Sequence, residues 1–133
     1  MLKLLLVVVA GAAALFGLVT LVALEGREVV VIRTRDAAGK ARETRTWIAD
    51  DAGLAWIEAA NPERGFYRDI QRDPEVELQR HGETRRYRAV PIEGPAGHEL
   101  IRRLLRERYG LADRWIGLVA DTSHSIAIRL EPR

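Results

Sequence analysis

The chain opens on an apolar run. Residues 4–24, LLLVVVAGAAALFGLVTLVAL, contain no charge. As a helix they extend about 31 Å, enough to cross a hydrocarbon core. Every face of that helix is apolar, so it has no polar side to turn to water. The run predicts a transmembrane anchor over residues 1–25. A cleaved signal peptide is the rival. Its apolar stretch is usually shorter, roughly 7–15 residues, and ends at small residues, whereas Val22-Ala23-Leu24-Glu25 fits such a site poorly.

After residue 24 the pattern changes to alternation and predicts a separate domain over residues 26–133. Residues 27–35, REVVVIRTR, are β-branched and predict a strand. Asp36 to Lys40 is a turn, and residues 41–49 a second strand. On it Glu43, Arg45 and Trp47 share one face, and Arg42, Thr44, Thr46 and Ile48 the other. Asp50-Asp51-Ala52-Gly53 turns the chain into a third strand, residues 54–60. Phe66, Tyr67 and Ile70 at helical spacing predict a short helix over 64–72. A hairpin follows: strands over 75–80 and 84–92 about His81-Gly82-Glu83, closed off by Pro91 and Pro95. Leu100, Ile101, Leu104 and Leu105 stripe a helix over 98–109 that Gly110 stops. Residues 111–120 suit a further short helix. Residues 123–130 predict the last strand, with His124 on its apolar face beside Ile126, Ile128 and Leu130.

Six short strands and two or three helices in the order βββ-α-ββ-α-(α)-β make the domain mainly β, of the α+β class. The hairpin spacing suggests one antiparallel sheet closed into a small barrel, which leaves no exposed edge. Composition sharpens the division. Residues 1–24 hold 20 hydrophobic side chains and one charge, Lys3; the other 109 residues hold 43 hydrophobics and 39 charges. Over the full chain 21 basic side chains face 19 acidic ones, so the basic excess of a nucleic-acid binder is missing. Cysteine is absent, which excludes disulfides, thiolate nucleophiles and cysteine-held metal sites. The three histidines, His81, His98 and His124, have no metal-ligand spacing, so no metal is expected. Lys3 favours an inside N-terminus, while Arg27, Arg33, Arg35, Lys40 and Arg42 favour an inside domain; the side of the membrane stays open.

Candidate chemistry is concentrated in Arg35-Asp-Ala-Ala-Gly39-Lys40-Ala-Arg42-Glu-Thr44. A glycine turn presents backbone N–H groups, and Lys40 and Arg42 add positive charge, an arrangement able to hold a phosphate; a solvated hairpin turn is the plainer reading. Asp121-Thr-Ser123-His124-Ser125 has the letters of a hydrolase triad, but neighbours on a strand point to opposite faces and cannot assemble one. The segment from Trp115 to Ala120 suits either a bilayer surface or the cover of the barrel.

Thr34, Gly39, Lys40, Arg42 and Thr44 stand in the register of the strand–turn–strand opening of the split-barrel, pyridoxamine-phosphate-oxidase-like proteins. Asn61-Pro62, then Phe66-Tyr67-Arg68-Asp69-Ile70, then Asp73-Pro74-Glu75-Val76 follow in the order of that family's later motifs. Over roughly residues 27–131 the chain resembles its deazaflavin-dependent nitroreductase and quinone reductase branch. The resemblance implies a six-stranded antiparallel split barrel, and FMN or a deazaflavin coenzyme as cofactor. It gives Lys40 and Arg42 the phosphate, Thr44 and the backbone at Ala60 and Asn61 the border of the ring, and Phe66 and Tyr67 its edge. Ala38 and Asp69 depart from the family's serine and asparagine. They leave open another phosphate-bearing ligand, or a non-catalytic ligand- or partner-binding protein at the membrane. The implied substrate is quinone-like or nitroaromatic, a homodimer is a common form of the fold, and the anchor places the chain as a single-pass protein of a bacterial inner membrane.

Overall fold

The computed structural model describes residues 1–25, 28–63 and 65–133. Arg27 and Arg64, expected to open the first strand and the short helix, lie outside the described residues.

Ten elements follow in order: α1 (Leu2–Glu25), β1 (Val29–Arg35), β2 (Ala41–Asp51), β3 (Leu54–Ala59), α2 (Gly65–Arg72), β4 (Glu75–Arg80), β5 (Glu83–Ile92), α3 (Pro95–Tyr109), α4 (Leu111–Val119) and β6 (Ile126–Pro132). The six strands close in the order β1-β2-β3-β6-β5-β4, antiparallel at every seam. α1 is long and apolar enough to cross a membrane: its Leu2–Thr20 stretch has a mean hydropathy of 2.5 and no buried part.

Alternation builds two cores from one sheet. Inward-facing Val30, Ile32, Ile48, Ile57, Leu78, Ala89, Ile128 and Leu130 fill the barrel, and α2 adds Tyr67 and Ile70 at one end. Outward-facing Ala49, Trp56 and Ala127 pack under Ile101, Leu104, Leu105 and Tyr109 of α3 and Ala112 of α4. Trp47 stacks on Tyr109, ring centroids 4.3 Å apart and nearly parallel at 8°. The Tyr109 hydroxyl accepts from the Ile48 N–H and reaches the carbonyls of Ile48 and Glu28, tying α3 to the first two strands.

The β2–β3 and β4–β5 hairpins turn on two residues each. Ala52-Gly53 and His81-Gly82 all have positive φ, as the two-residue turn that matches strand twist requires. Ile48 and Trp47 lie on opposite faces, inner and outer, as alternation predicts.

Several boundaries differ from the sequence expectation; β2 runs on to Asp51 instead of ending at residue 49. β6 begins at Ile126 rather than 123, and His124 is exposed rather than on the barrel face. Asp121 Oδ1 accepts from the Ser123 N–H (2.9 Å) and hydroxyl (2.6 Å), and this local turn displaces the ladder. α3 begins at Pro95, a residue suited to a first helical position, rather than at His98. Pro91 lies inside β5 instead of ending it. There β4 has already stopped and only β6 pairs with β5, so the missing N–H costs no ladder bond on the open side.

Candidate functional site

The β1–β2 turn satisfies itself. Asp36 Oδ1 accepts from the N–H groups of Ala38 and Lys40, both at 2.9 Å, while the Gly39 N–H donates to the Asp36 carbonyl. These bonds, the one from Lys40 foremost, hold the Asp36 carboxyl below its ordinary range. The carboxylate therefore sits where the turn would otherwise offer its amides to an external anion. The Lys40 side chain is on an exposed stretch of this turn.

The barrel mouth beside the turn holds a buried acid. Asp69 of α2 is 1% exposed, and it accepts from the Thr34 hydroxyl (2.7 Å), Arg42 Nε (2.8 Å) and an Arg72 Nη (2.7 Å). Thr34 and Arg42 are cross-strand partners on the inner face of β1 and β2, so register delivers both to α2. Buried carboxylates persist only when paired, and three charge-assisted bonds meet that need. Each arginine side chain remains 43% exposed. Both line a groove of about 780 Å³ shared with Ala38, Glu63 and Arg68. A guanidinium offers five donors in a fixed fork, so an arginine pair oriented by one acid can meet a phosphate or carboxylate from outside.

The remaining candidates are dispersed. Thr44 is half-buried opposite Ile32, one inward step along the strand from the Thr34–Arg42 pair. Ala60 lines a second groove of about 350 Å³ with Val29, Trp47, Leu105 and Ile116. The Asn61 side chain accepts from the Glu63 N–H in a local turn. Phe66 packs against the barrel core, and Tyr67 is buried with its hydroxyl donating to Glu93 at 2.6 Å. Burial first, and then this bond, push the Tyr67 phenol up to about 12. Sequence reasoning missed Arg72 and Glu93. The Asp69–Arg72 spacing of three residues on a helix was a usable signal for the first; Glu93 is 26 positions from Tyr67 and had none. Among the described residues no group of three or more His, Cys, Asp or Glu could hold a metal.

A closed barrel of six antiparallel strands recurs in solved proteins. This is the split-barrel fold. A structure of an F420-H2 dependent reductase has TM-score 0.60 and 18% identity over 79% of this chain and 95% of that one. The putative pyridoxamine 5'-phosphate oxidase of Listeria innocua has TM-score 0.59 and 15% identity, covering 85% and 90%. A structure described as a domain-swapped dimer has TM-score 0.60 and 18% identity, covering 79% and 81%. By sequence, the chain matches no protein-family profile and no curated protein. The split barrel is thus shared with an F420-H2 dependent reductase and a putative pyridoxamine 5'-phosphate oxidase.

A phosphate-bearing cofactor fits one part of the mouth. The guanidinium groups of Arg42 and Arg72 suit its anionic end; the amides of the turn, already bonded to Asp36, do not.

Proposed function

We propose that the chain is a membrane-tethered oxidoreductase of the split-barrel type, holding FMN or a deazaflavin coenzyme by its anionic end at Arg42 and Arg72. The observation that carries this reading is the arginine pair held on buried Asp69 at the barrel mouth. Arg42, Arg72 and the nearby Lys40 bind and orient; Asp69 fixes the arginine forks; Thr34 fixes Asp69. Thr44, the backbone at Ala60 and Asn61, and Phe66 and Tyr67 form the ring end in this reading. The bound cofactor would supply the hydride, and the protein its placement and field. A quinone-like or nitroaromatic substrate partitions into lipid, so a barrel tethered by α1 would meet it at the membrane surface. A homodimer accords with the domain-swapped neighbour.

A second reading, a non-catalytic ligand- or partner-binding barrel, is favoured by one observation: the Asp36 carboxylate occupies the turn amides. Titrating the detergent-solubilised full chain with FMN and with the deazaflavin coenzyme separates the two, read by tryptophan fluorescence and the ligand's visible spectrum. The reductase reading expects saturable binding, weakened by about 1–3 kcal/mol on Arg42→Ala, the worth of a charged hydrogen bond. Absence of binding below high micromolar concentration leaves the second reading standing.

A further inference from the structure

α4 buries an acid and exposes leucines. Its buried residues are Ala112 and Asp113, while Leu111 is 77% exposed, Leu118 81% and Val119 42%. Asp113 points inward because Arg102 of α3 clasps both its carboxylate oxygens, at 2.6 and 2.8 Å. Leu111, Trp115 and Leu118 recur at helical spacing; the two leucines face outward, and Trp115, half-buried against the core beneath α3, borders them. Ala112, Trp115 and Ile116 pack inward on the core as in an ordinary surface helix, but such a helix in water would also turn its acid outward and not leave two leucines on one exposed stripe.

The stripe continues into α1. The Trp115 indole lies 5.2 Å from the Phe16 ring, and its N–H donates to Thr20 Oγ1 at 2.7 Å. The Thr20 hydroxyl in turn donates to the Phe16 carbonyl at 2.8 Å. These polar groups satisfy one another, a condition for a place away from water. Thr20 and Phe16 precede Leu24, the last residue of the apolar run, by four and eight positions, or about 6 and 12 Å along a helix. That overlaps the depth of about 5–10 Å at which interfacial helices bury their apolar face. Arg114, exposed next to Trp115, supplies a cation at headgroup level.

We propose that α4 lies in the interfacial layer of the membrane that α1 crosses, with Leu111, Leu118 and Val119 in contact with lipid. The barrel is then held at the membrane by two elements, and its orientation to the surface is set by the α1–α4 contact. This inference rests on the reading of α1 as a membrane anchor. The lipid is identified by the continuity of the apolar stripe with α1.

The absence of cysteine makes the test direct. Single cysteines at Leu118→Cys, at Val9→Cys in α1 and at Ala37→Cys in the β1–β2 turn, at the end of β1 away from α1, are labelled with a polarity-sensitive fluorophore. The full-length chains are reconstituted in phosphatidylcholine–phosphatidylglycerol vesicles with or without spin-labelled lipid. The expected result is strong quenching by the labelled lipid at positions 9 and 118, with several-fold lower access to aqueous iodide than at position 37. Quenching at 9 with iodide access at 118 overturns the placement of α4 and leaves the anchor intact. Shielding of 118 from both quenchers points to a second copy over the leucines and overturns it as well. Iodide access at both 9 and 118 removes the anchor reading and the inference together.

Discussion

Arg102 joins three elements through one guanidinium. From α3 it donates one Nη to both oxygens of Glu58 on β3 (3.0 and 2.9 Å) and the other to both oxygens of Asp113 on α4 (2.6 and 2.8 Å). The three side chains are 17%, 10% and 6% exposed in the order Arg102, Glu58, Asp113. Burial works against the charge on Arg102, but the two carboxylates outweigh it and raise its pKa. Arg102→Met keeps much of the stem's volume and leaves two buried carboxylates without the guanidinium that pairs them. Removing one partner of a buried pair costs about 3–5 kcal/mol, chiefly because the remaining charge is uncompensated. Small domains are stable by only about 5–15 kcal/mol, so the loss is a large fraction of the total. At roughly 4 °C per kcal/mol for a domain of this size, the expected fall in Tm is about 12 °C or more. Circular dichroism of the detergent-solubilised full chain through a thermal ramp reads it. Adding Glu58→Gln and Asp113→Asn to the variant removes both charges and recovers most of the loss. A fall of less than about 1 kcal/mol, or no recovery in the triple variant, would refute the account.

Gly97 admits no side chain: a Cβ there runs into the Ile92 carbonyl oxygen where α3 crosses the end of β5. Gly97→Ala is expected to destabilise by about 1–3 kcal/mol through overpacking, measured as a lowered denaturation midpoint. Tyr67 gives a pH dependence with a definite sign. Its phenol is raised from 10.0 to about 12 by burial and the bond to Glu93. The stability this neutral group contributes is intact below pH 10 and fades as pH rises through 12, by about 2–3 kcal/mol at roughly 1.4 per unit. Relative to Tyr67→Phe, wild type should lose that amount between those limits in pH-dependent denaturation; parallel curves would contradict it.

Much of the fold was legible because it rests on local signals. The apolar run, the period-two strands, the Ala52-Gly53 and His81-Gly82 turns and the Leu100–Leu105 stripe each carry their own pattern. The boundaries that moved lie where a local bond competes with the ladder, as in the Asp121–Ser123 turn. Pro91 moved for a different reason: whether a proline ends a strand depends on which neighbour pairs beside it, a fact of topology. Of the candidate site, Arg42 and the Asp36–Lys40 turn were readable, but not their internal partners. Asp69 was noted as a departure from a family pattern, and only the folded chain brings it to Arg42, 27 positions away.

The sequence by itself determined two unlike parts, an apolar helix and a highly charged β domain, because hydropathy and periodicity are local properties of the chain. Tertiary structure decided where the charges are spent. Asp69 meets Thr34 and Arg42 at the barrel mouth, and Arg102 joins Glu58 to Asp113 inside the protein. Holding Asp113 inward leaves Leu111 and Leu118 facing out. No window of sequence contains those pairings, because the cost of burying an acid is met by cations that only the closed barrel and its packed helices bring within reach.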